Sequence, residues 1–182
     1  SALDTAKTIA CLVTNEGSAS DYQYGKEIKN PGIPFIALPT TAGTGAEITK
    51  NSVITDTKKK IKQSIRSNYM IAKTAIIDPL LTVSMPPNVT SASGMDALTQ
   101  AIECYVSLSA NPISSTLALR STSLISKYIV RAYNDGNDLE ARENMALGSL
   151  LGAMAFANAS LGAVHGLDHP IGAMFDVPHG VI

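Results

Sequence analysis

The pair Pro86-Pro87 divides the chain into two kinds of pattern, and no other feature constrains the fold as much. Proline fixes φ and carries no N–H, so it ends one element and suits the first turn of a helix. Upstream of the pair lie short apolar runs between glycine- and threonine-rich loops. Residues 33–39 are apolar and bounded by prolines, and residues 75–79 (Ala-Ile-Ile-Asp-Pro) repeat the pattern; both read as buried strands. Residues 51–56 and 60–65 alternate about Thr57-Lys58-Lys59, the pattern of a β-hairpin with a charged, solvated turn. Ser1 followed by Asp4 has capping-box spacing and starts a helix over residues 2–12, while residues 18–29 are polar and read as a short helix and loop.

Downstream there is no strand signal, only helical period over residues 88–107, 112–133, 139–157 and 158–169. Ala97, Leu98, Ala101, Ile102 and Tyr105 form the apolar face of the first of these helices. Leu117, Leu119, Leu124, Ile125, Tyr128 and Ile129 form that of the second. Asn134-Asp135-Gly136-Asn137-Asp138 breaks the chain before the third, whose Gly148, Gly152, Ala153 and Ala155 allow close helix packing. The expected fold class is α/β for residues 1–85 followed by all-α for residues 86–182.

With 45% hydrophobic and 16% charged residues, the 182-residue chain can bury a core in one domain or two small ones. A net charge of -1 gives no electrostatic argument for nucleic acid or an anionic membrane as partner. No apolar run approaches the ~20 residues that span a bilayer. Cys11 and Cys104 lie too far apart in sequence to suggest a disulfide framework, and a cytoplasmic setting is expected.

All three histidines, His165, His169 and His179, fall in the last eighteen residues. His165 and His169, four apart, share one face of a helix, and His179 sits between Pro178 and Gly180 in a loop that returns towards it. Imidazole is the commonest metal ligand near neutral pH, so the cluster reads as a metal site or, alternatively, as packed and surface histidines. Asp96 and Gln100 lie at i,i+4 on a helical edge, where they can meet those histidines; alternatively, Asp96 favours the helix macrodipole. Spacing alone leaves both pairs of readings open. The loop of residues 40–45, Thr-Thr-Ala-Gly-Thr-Gly, follows a strand-like run and offers backbone N–H groups and hydroxyls to phosphate or ribose, although an ordinary turn has the same composition.

Four stretches in order, Pro39-Thr40-Thr41-Ala42-Gly43-Thr44-Gly45-Ala46-Glu47, Gly94-Met95-Asp96-Ala97-Leu98-Thr99-Gln100-Ala101-Ile102-Glu103, Val164-His165-Gly166-Leu167-Asp168-His169-Pro170-Ile171-Gly172-Ala173 and Val177-Pro178-His179-Gly180-Val181, carry a resemblance over essentially the whole chain. The chain resembles the iron-containing (group III) alcohol dehydrogenases, which share a fold with dehydroquinate synthase. The resemblance implies that residues 1–85 are the C-terminal portion of a Rossmann-like dinucleotide-binding domain. Residues 86–182 are then the N-terminal portion of a helical metal- and substrate-binding domain. In the family a glycine-rich turn precedes the serine that stands here at position 1, so an internal piece of a longer protein is expected, without turnover by itself.

The implied chemistry is hydride transfer between a small alcohol or aldehyde and NAD or NADP, assisted by Fe2+, Zn2+ or another divalent metal. Carried over by position, the implied metal ligands are Asp96, Gln100, His165 and His179. His169 lines the same cleft, to position substrate or relay a proton, and Ser1, Asp4, Thr40, Thr41, Thr44, Thr49 and Lys62 lie at or near the cofactor. Family members are often dimers or larger, so a homo-oligomer is expected. Two positions depart from the pattern. Gln100 stands where most metal-dependent members have histidine, and Asp168 stands where a small residue is usual, placed to orient His165 or His169. The rival implications are a dehydroquinate-synthase-type lyase and a metal-free or catalytically silent homologue acting as a binding module, to which Gln100 lends support.

Overall fold

The computed structural model describes residues 1–182. Helix α1 (Ala2–Leu12) begins at the expected capping box: the Asp4 N–H donates to Ser1 Oγ at 3.2 Å, and Ser1 Oγ donates to Asp4 Oδ2 at 2.7 Å. The helix is fixed inward by Lys7, whose fully buried Nζ donates to the carbonyls of Thr49 (2.6 Å) and Asn51 (2.9 Å). A short helix α2 (Ala19–Gln23) follows, as expected, capped by Ser18.

Strands β2 (Asn51–Asp56) and β3 (Ile61–Arg66) form the expected antiparallel hairpin, in register from Asn51↔Arg66 to Asp56↔Ile61. Its turn is closed by Asp56 Oδ1, which accepts from the N–H groups of Lys58 and Lys59, and by Lys60 at φ 53°. The two apolar runs pair with each other in parallel, but only as β1 (Ile36–Ala37) and β4 (Thr74–Ala75). Both strands are shorter than their sequence runs. Pro34 and Pro39 have no N–H to give to a ladder, which confines the first strand to the residues between them. Ile36 and Leu38, expected to be buried, are exposed.

A 3-10 turn (Pro79–Thr82), capped by Asp78, leads to the proline pair. Beyond it every element is helical. Helix α3 (Pro87–Val106) carries Pro87 in its first turn, α4 (Pro112–Asn134) is capped by Asn111, and α5 (Leu139–Asn158) is capped by Asp138. These three helices enclose the main core, in which Ala97, Leu124, Ile125, Ala141 and Met145 are buried. The small residues of α5 act as expected. Gly148 offers its carbonyl to Ser121 Oγ at 2.7 Å, and Ala153 and Ala155 are fully buried. Arg142 ties the bundle to the chain before it, donating to Thr90 Oγ1 at 2.8 Å and to the Met85 carbonyl at 3.2 Å. Three residues assigned to apolar faces by period, Ile102, Tyr105 and Leu119, are instead exposed. The buried faces are instead centred on Ala97, Ala101 and Cys104 in α3 and on Ala118, Ser121, Leu124 and Ile125 in α4.

The last helix is displaced from its expected place. It is α6 (Ala163–Phe175), starting five residues later than residues 158–169 suggested and running on through Pro170. Asn158 still belongs to α5, and Gly162 starts the new helix. Pro170 deprives the Gly166 carbonyl of its helical donor without ending the helix. Asp176 (φ 55°) stops α6, and a 3-10 turn (His179–Val181) brings the third histidine back. No single helix is long and apolar enough to cross a membrane.

Candidate metal centre

Three elements meet at one buried carboxylate. Helix α3 presents Asp96, Gln100 and Glu103 at i, i+4 and i+7; α6 presents His165, Asp168 and His169; the last turn presents His179. Asp96 Oδ1 lies 3.2 Å from His165 Nε2 and 3.4 Å from His179 Nε2, and accepts the Gln100 amide N–H at 2.9 Å. The His165 and His179 rings stand edge to face with centroids 5.6 Å apart, while His169 stacks on His179 at 5.8 Å. Metal-ligating atoms of Asp96, His165 and His179 all lie within 4.8 Å of one another.

Each of these two imidazoles also has an acid behind it. Glu103 Oε2 meets His165 Nδ1 at 2.5 Å, while Glu103 Oε1 accepts the N–H of Val164 at 2.8 Å and so pins the start of α6 to α3. Asp168 Oδ2 lies directly against His179 Nδ1, without the alignment of a hydrogen bond. Lys62 Nζ, from β3, is 3.9 Å from the same oxygen.

Charge follows this geometry. Burial would raise the Asp96 carboxyl, but the His165 and His179 rings beside it outweigh burial and hold it well below the usual carboxylate range. Burial would likewise raise Glu103, and His165 with the N–H groups opening α6 brings it down. For His165, burial favours the neutral ring, yet Asp96 and Glu103 together raise its pKa. A cation between His165 Nε2 and Asp96 therefore competes with a proton for the same place. His169 is different: burial first, then the Lys62 charge, lowers its pKa and keeps it neutral.

The donor set suits a metal. Asp96 Oδ2 and Gln100 Oε1 are buried without hydrogen-bond partners, and two imidazole Nε2 atoms converge on Asp96 Oδ1. Buried polar atoms without partners are rare and call for an explanation, and one carboxylate with two imidazoles is a common donor set for first-row divalent ions. A cavity of about 320 Å³ opens beside Asp96, His165, Asp168 and His179, large enough for a small organic molecule.

Of the residues expected at a metal, Asp96, His165 and His179 come together directly. Gln100 reaches the group through its amide N–H, which is turned to Asp96. The residues expected near a cofactor are spread out. Thr40 and Thr44 are exposed on their loop, Thr41 is partly buried, and Ser1 and Asp4 cap α1. Thr49 is buried with its carbonyl and hydroxyl facing Lys7, at 2.6 and 3.3 Å. Lys62 alone of them reaches the histidine cluster. The loop itself lies on α3: a Cβ on Gly43 would stand 2.8 Å from Ser93. One residue earlier on α3, the Ala92 carbonyl fills the space that a Cβ on Gly180 would need. Neighbouring positions of one helix thus seat both the threonine-glycine loop and the His179 turn. Glu103 was missed from sequence. Its signal was the i+7 spacing from Asp96 on the face already carrying Gln100. Asp168 was expected to orient His165 or His169, and the structure places it against His179.

Residues 1–79 match the family model for iron-containing alcohol dehydrogenase, and residues 90–182 match that for the C-terminal part of the Fe-containing alcohol dehydrogenase family. The chain belongs to the iron-containing alcohol dehydrogenase family. Alcohol dehydrogenase 4 of Schizosaccharomyces pombe is 45% identical over 181 residues, covering 100% of this chain and 43% of the relative. The 1,3-propanediol dehydrogenase of Citrobacter freundii is 44% identical over 178 residues, covering 98% of this chain and 46% of its own length. Among solved structures, a 1,3-propanediol oxidoreductase superposes with a TM-score of 0.92 at 43% identity, covering 98% of this chain and 47% of that one. Sulfoacetaldehyde reductase from Bifidobacterium kashiwanohense in complex with NAD+ gives 0.94 at 38% identity, covering 98% and 48%. The chain spans about half the length of the family relatives it matches.

Proposed function

We propose that the whole protein is an NAD(P)-dependent alcohol dehydrogenase or aldehyde reductase acting on a small substrate, with Fe2+ or another divalent cation held by Asp96, His165 and His179. The observation that carries this reading is the convergence of His165 Nε2 and His179 Nε2 on Asp96 Oδ1 beside a cavity of about 320 Å³. Relatives support the substrate class, among them the NAD-dependent methanol dehydrogenase of Bacillus methanolicus, 40% identical over 178 residues. Residues 1–85 serve in this reading as the C-terminal portion of the dinucleotide-binding domain and residues 86–182 as the N-terminal portion of the helical metal and substrate domain. A homo-oligomer in the cytoplasm fits the same reading.

A divalent cation bound at Asp96, His165 and His179 supplies a Lewis acid that stabilises negative charge on a substrate oxygen. The chain's own residues do the rest. Asp96 contributes the anionic donor, held in place by the Gln100 amide. Glu103 fixes the His165 ring so that Nε2 faces Asp96. His169, neutral and stacked on His179, offers a ring nitrogen to take the hydroxyl proton of an alcohol. Lys62 and the loop of residues 40–45, with its exposed Thr40 and Thr44 and its backbone N–H groups, supply donors to a dinucleotide. Gln100 favours the second reading, a silent homologue, because it brings an amide in place of an imidazole. The three remaining donors still match the ordinary catalytic arrangement of three protein ligands with an open position.

The test is turnover by the whole protein with methanol, ethanol and 1,3-propanediol, followed as NADH or NADPH formed. Expected are oxidation of at least one alcohol, loss of activity to a chelator and its return with Fe2+. Inactivity with both cofactors after reloading with Fe2+, Zn2+ and Mn2+ would favour the silent homologue.

A further inference from the structure

Asp168 is the least explained group in the site. Its side chain is 4% exposed, and neither carboxylate oxygen receives a hydrogen bond. A buried carboxylate without donors is costly, so its placement calls for a role in its neighbours. The nearest neighbour is His179 Nδ1, against which Oδ2 lies; the opposite edge of that ring, Nε2, faces Asp96 Oδ1 at 3.4 Å. His165 repeats the arrangement on the other side, with Glu103 at Nδ1 (2.5 Å) and Asp96 at Nε2 (3.2 Å). The two imidazoles therefore share one acid in front and each have a separate acid behind.

An imidazole whose Nδ1 faces a carboxylate keeps its proton on that nitrogen, leaves the Nε2 lone pair free and becomes a stronger donor there. We infer that Asp168 is a positioning residue that holds His179 in the Nδ1–H tautomer with Nε2 directed at Asp96, as Glu103 does for His165. Lys62 Nζ, 3.9 Å from Asp168 Oδ2, brings an opposite charge to the buried carboxylate. The tautomer assignment needs no metal. Its consequence, tighter cation binding, rests on the metal reading of the site. That consequence matters in this chain because Gln100 spends its N–H on Asp96, leaving two imidazoles to carry the nitrogen ligation. A competing arrangement exists, since Asp168, His169 and His179 also bring ligand atoms within 4.8 Å of one another. A cation there would lie by the Lys62 ammonium and take His179 away from Asp96.

The experiment combines 15N-histidine NMR of the metal-free whole protein with Co2+ titration of wild type, Asp168→Asn, Asp168→Ala and Asp96→Ala. In wild type the His179 proton is expected on Nδ1. Asp168→Asn, nearly isosteric and therefore expected to fold, shifts the tautomer balance, and Asp168→Ala shifts it further. Co2+ affinity is expected to fall about 10- to 100-fold in both variants. Wild type that binds no Co2+ would overturn the metal reading, while the tautomer result still decides the role of Asp168. An unchanged tautomer in both Asp168 variants would overturn the inference. So would Co2+ that survives Asp96→Ala but leaves with Asp168→Ala, which would seat the ion on Asp168, His169 and His179.

Discussion

Asp96 holds the centre together because two imidazole nitrogens and an amide face one of its oxygens. Glu103 stands a step behind, and its contribution is separable. In Glu103→Gln the side-chain carbonyl still accepts the Val164 N–H, so α6 keeps its anchor, but the negative charge at His165 Nδ1 is gone. Metal affinity by equilibrium dialysis is expected to fall about 10- to 100-fold with little change in melting temperature. Unchanged affinity would make Glu103 an anchor of α6 alone. Spacing alone left packed histidines and a helix-dipole carboxylate as open readings, and it was the resemblance to the iron-containing alcohol dehydrogenases that pointed to Asp96, His165 and His179. Glu103 was not legible, since a glutamate on an otherwise ordinary helix reads as solvated until a histidine from a distant helix lies against it. The partner of Asp168 was hidden for a related reason: chain proximity favoured His165 and His169, and the fold brought in His179.

Helix α3 is the element on which the site depends, because its Ala92 and Ser93 seat the His179 turn and the threonine-glycine loop. Gly180→Ala would push a methyl into the Ala92 carbonyl and lift His179 away from Asp96. The expected outcome is loss of bound metal with the secondary structure by circular dichroism unchanged; full metal content would contradict this seating. Helix α1 depends on Lys7. Replacing it with methionine leaves the Thr49 and Asn51 carbonyls without their donor, costing about 1–3 kcal/mol in denaturant unfolding. The effect is pH-dependent. Burial lowers the Lys7 pKa from 10.5 to about 8 in the folded protein. The unfolded chain therefore holds more protons across the window between these values, and stability rises with pH there. Below the lower value both states are charged and the burial penalty applies in full. Wild-type stability relative to Lys7→Met should thus increase from about pH 8 to pH 10.5, and a flat difference would contradict the assignment. The start of α1 was readable because capping at Ser1 is local chemistry, and α3, α4 and α5 start at or within a residue of where their period placed them. The start of α6 was not, as Gly162 offers no side-chain cap and Pro170 lies inside the helix.

Across the whole chain, the strand-bearing part and the helical part are tied at the site by two contacts: the Lys62–Asp168 ion pair from β3 to α6, and the close approach of Gly43 to Ser93. The change of periodicity at Pro86-Pro87 announced both parts, but not that a lysine expected near a dinucleotide would also touch the histidine cluster. That pair depends on long-range packing, which no local pattern encodes. It also places the group that would contact a cofactor next to the group that would hold a cation, as hydride transfer at one cleft requires. The most direct measurement is elemental analysis of the whole protein, wild type beside Asp96→Ala, both purified without chelators. Near-stoichiometric iron or zinc in wild type that vanishes in Asp96→Ala is the expected result. Wild-type protein still without metal after anaerobic reloading, or metal retained by Asp96→Ala, would contradict a centre built on Asp96, His165 and His179.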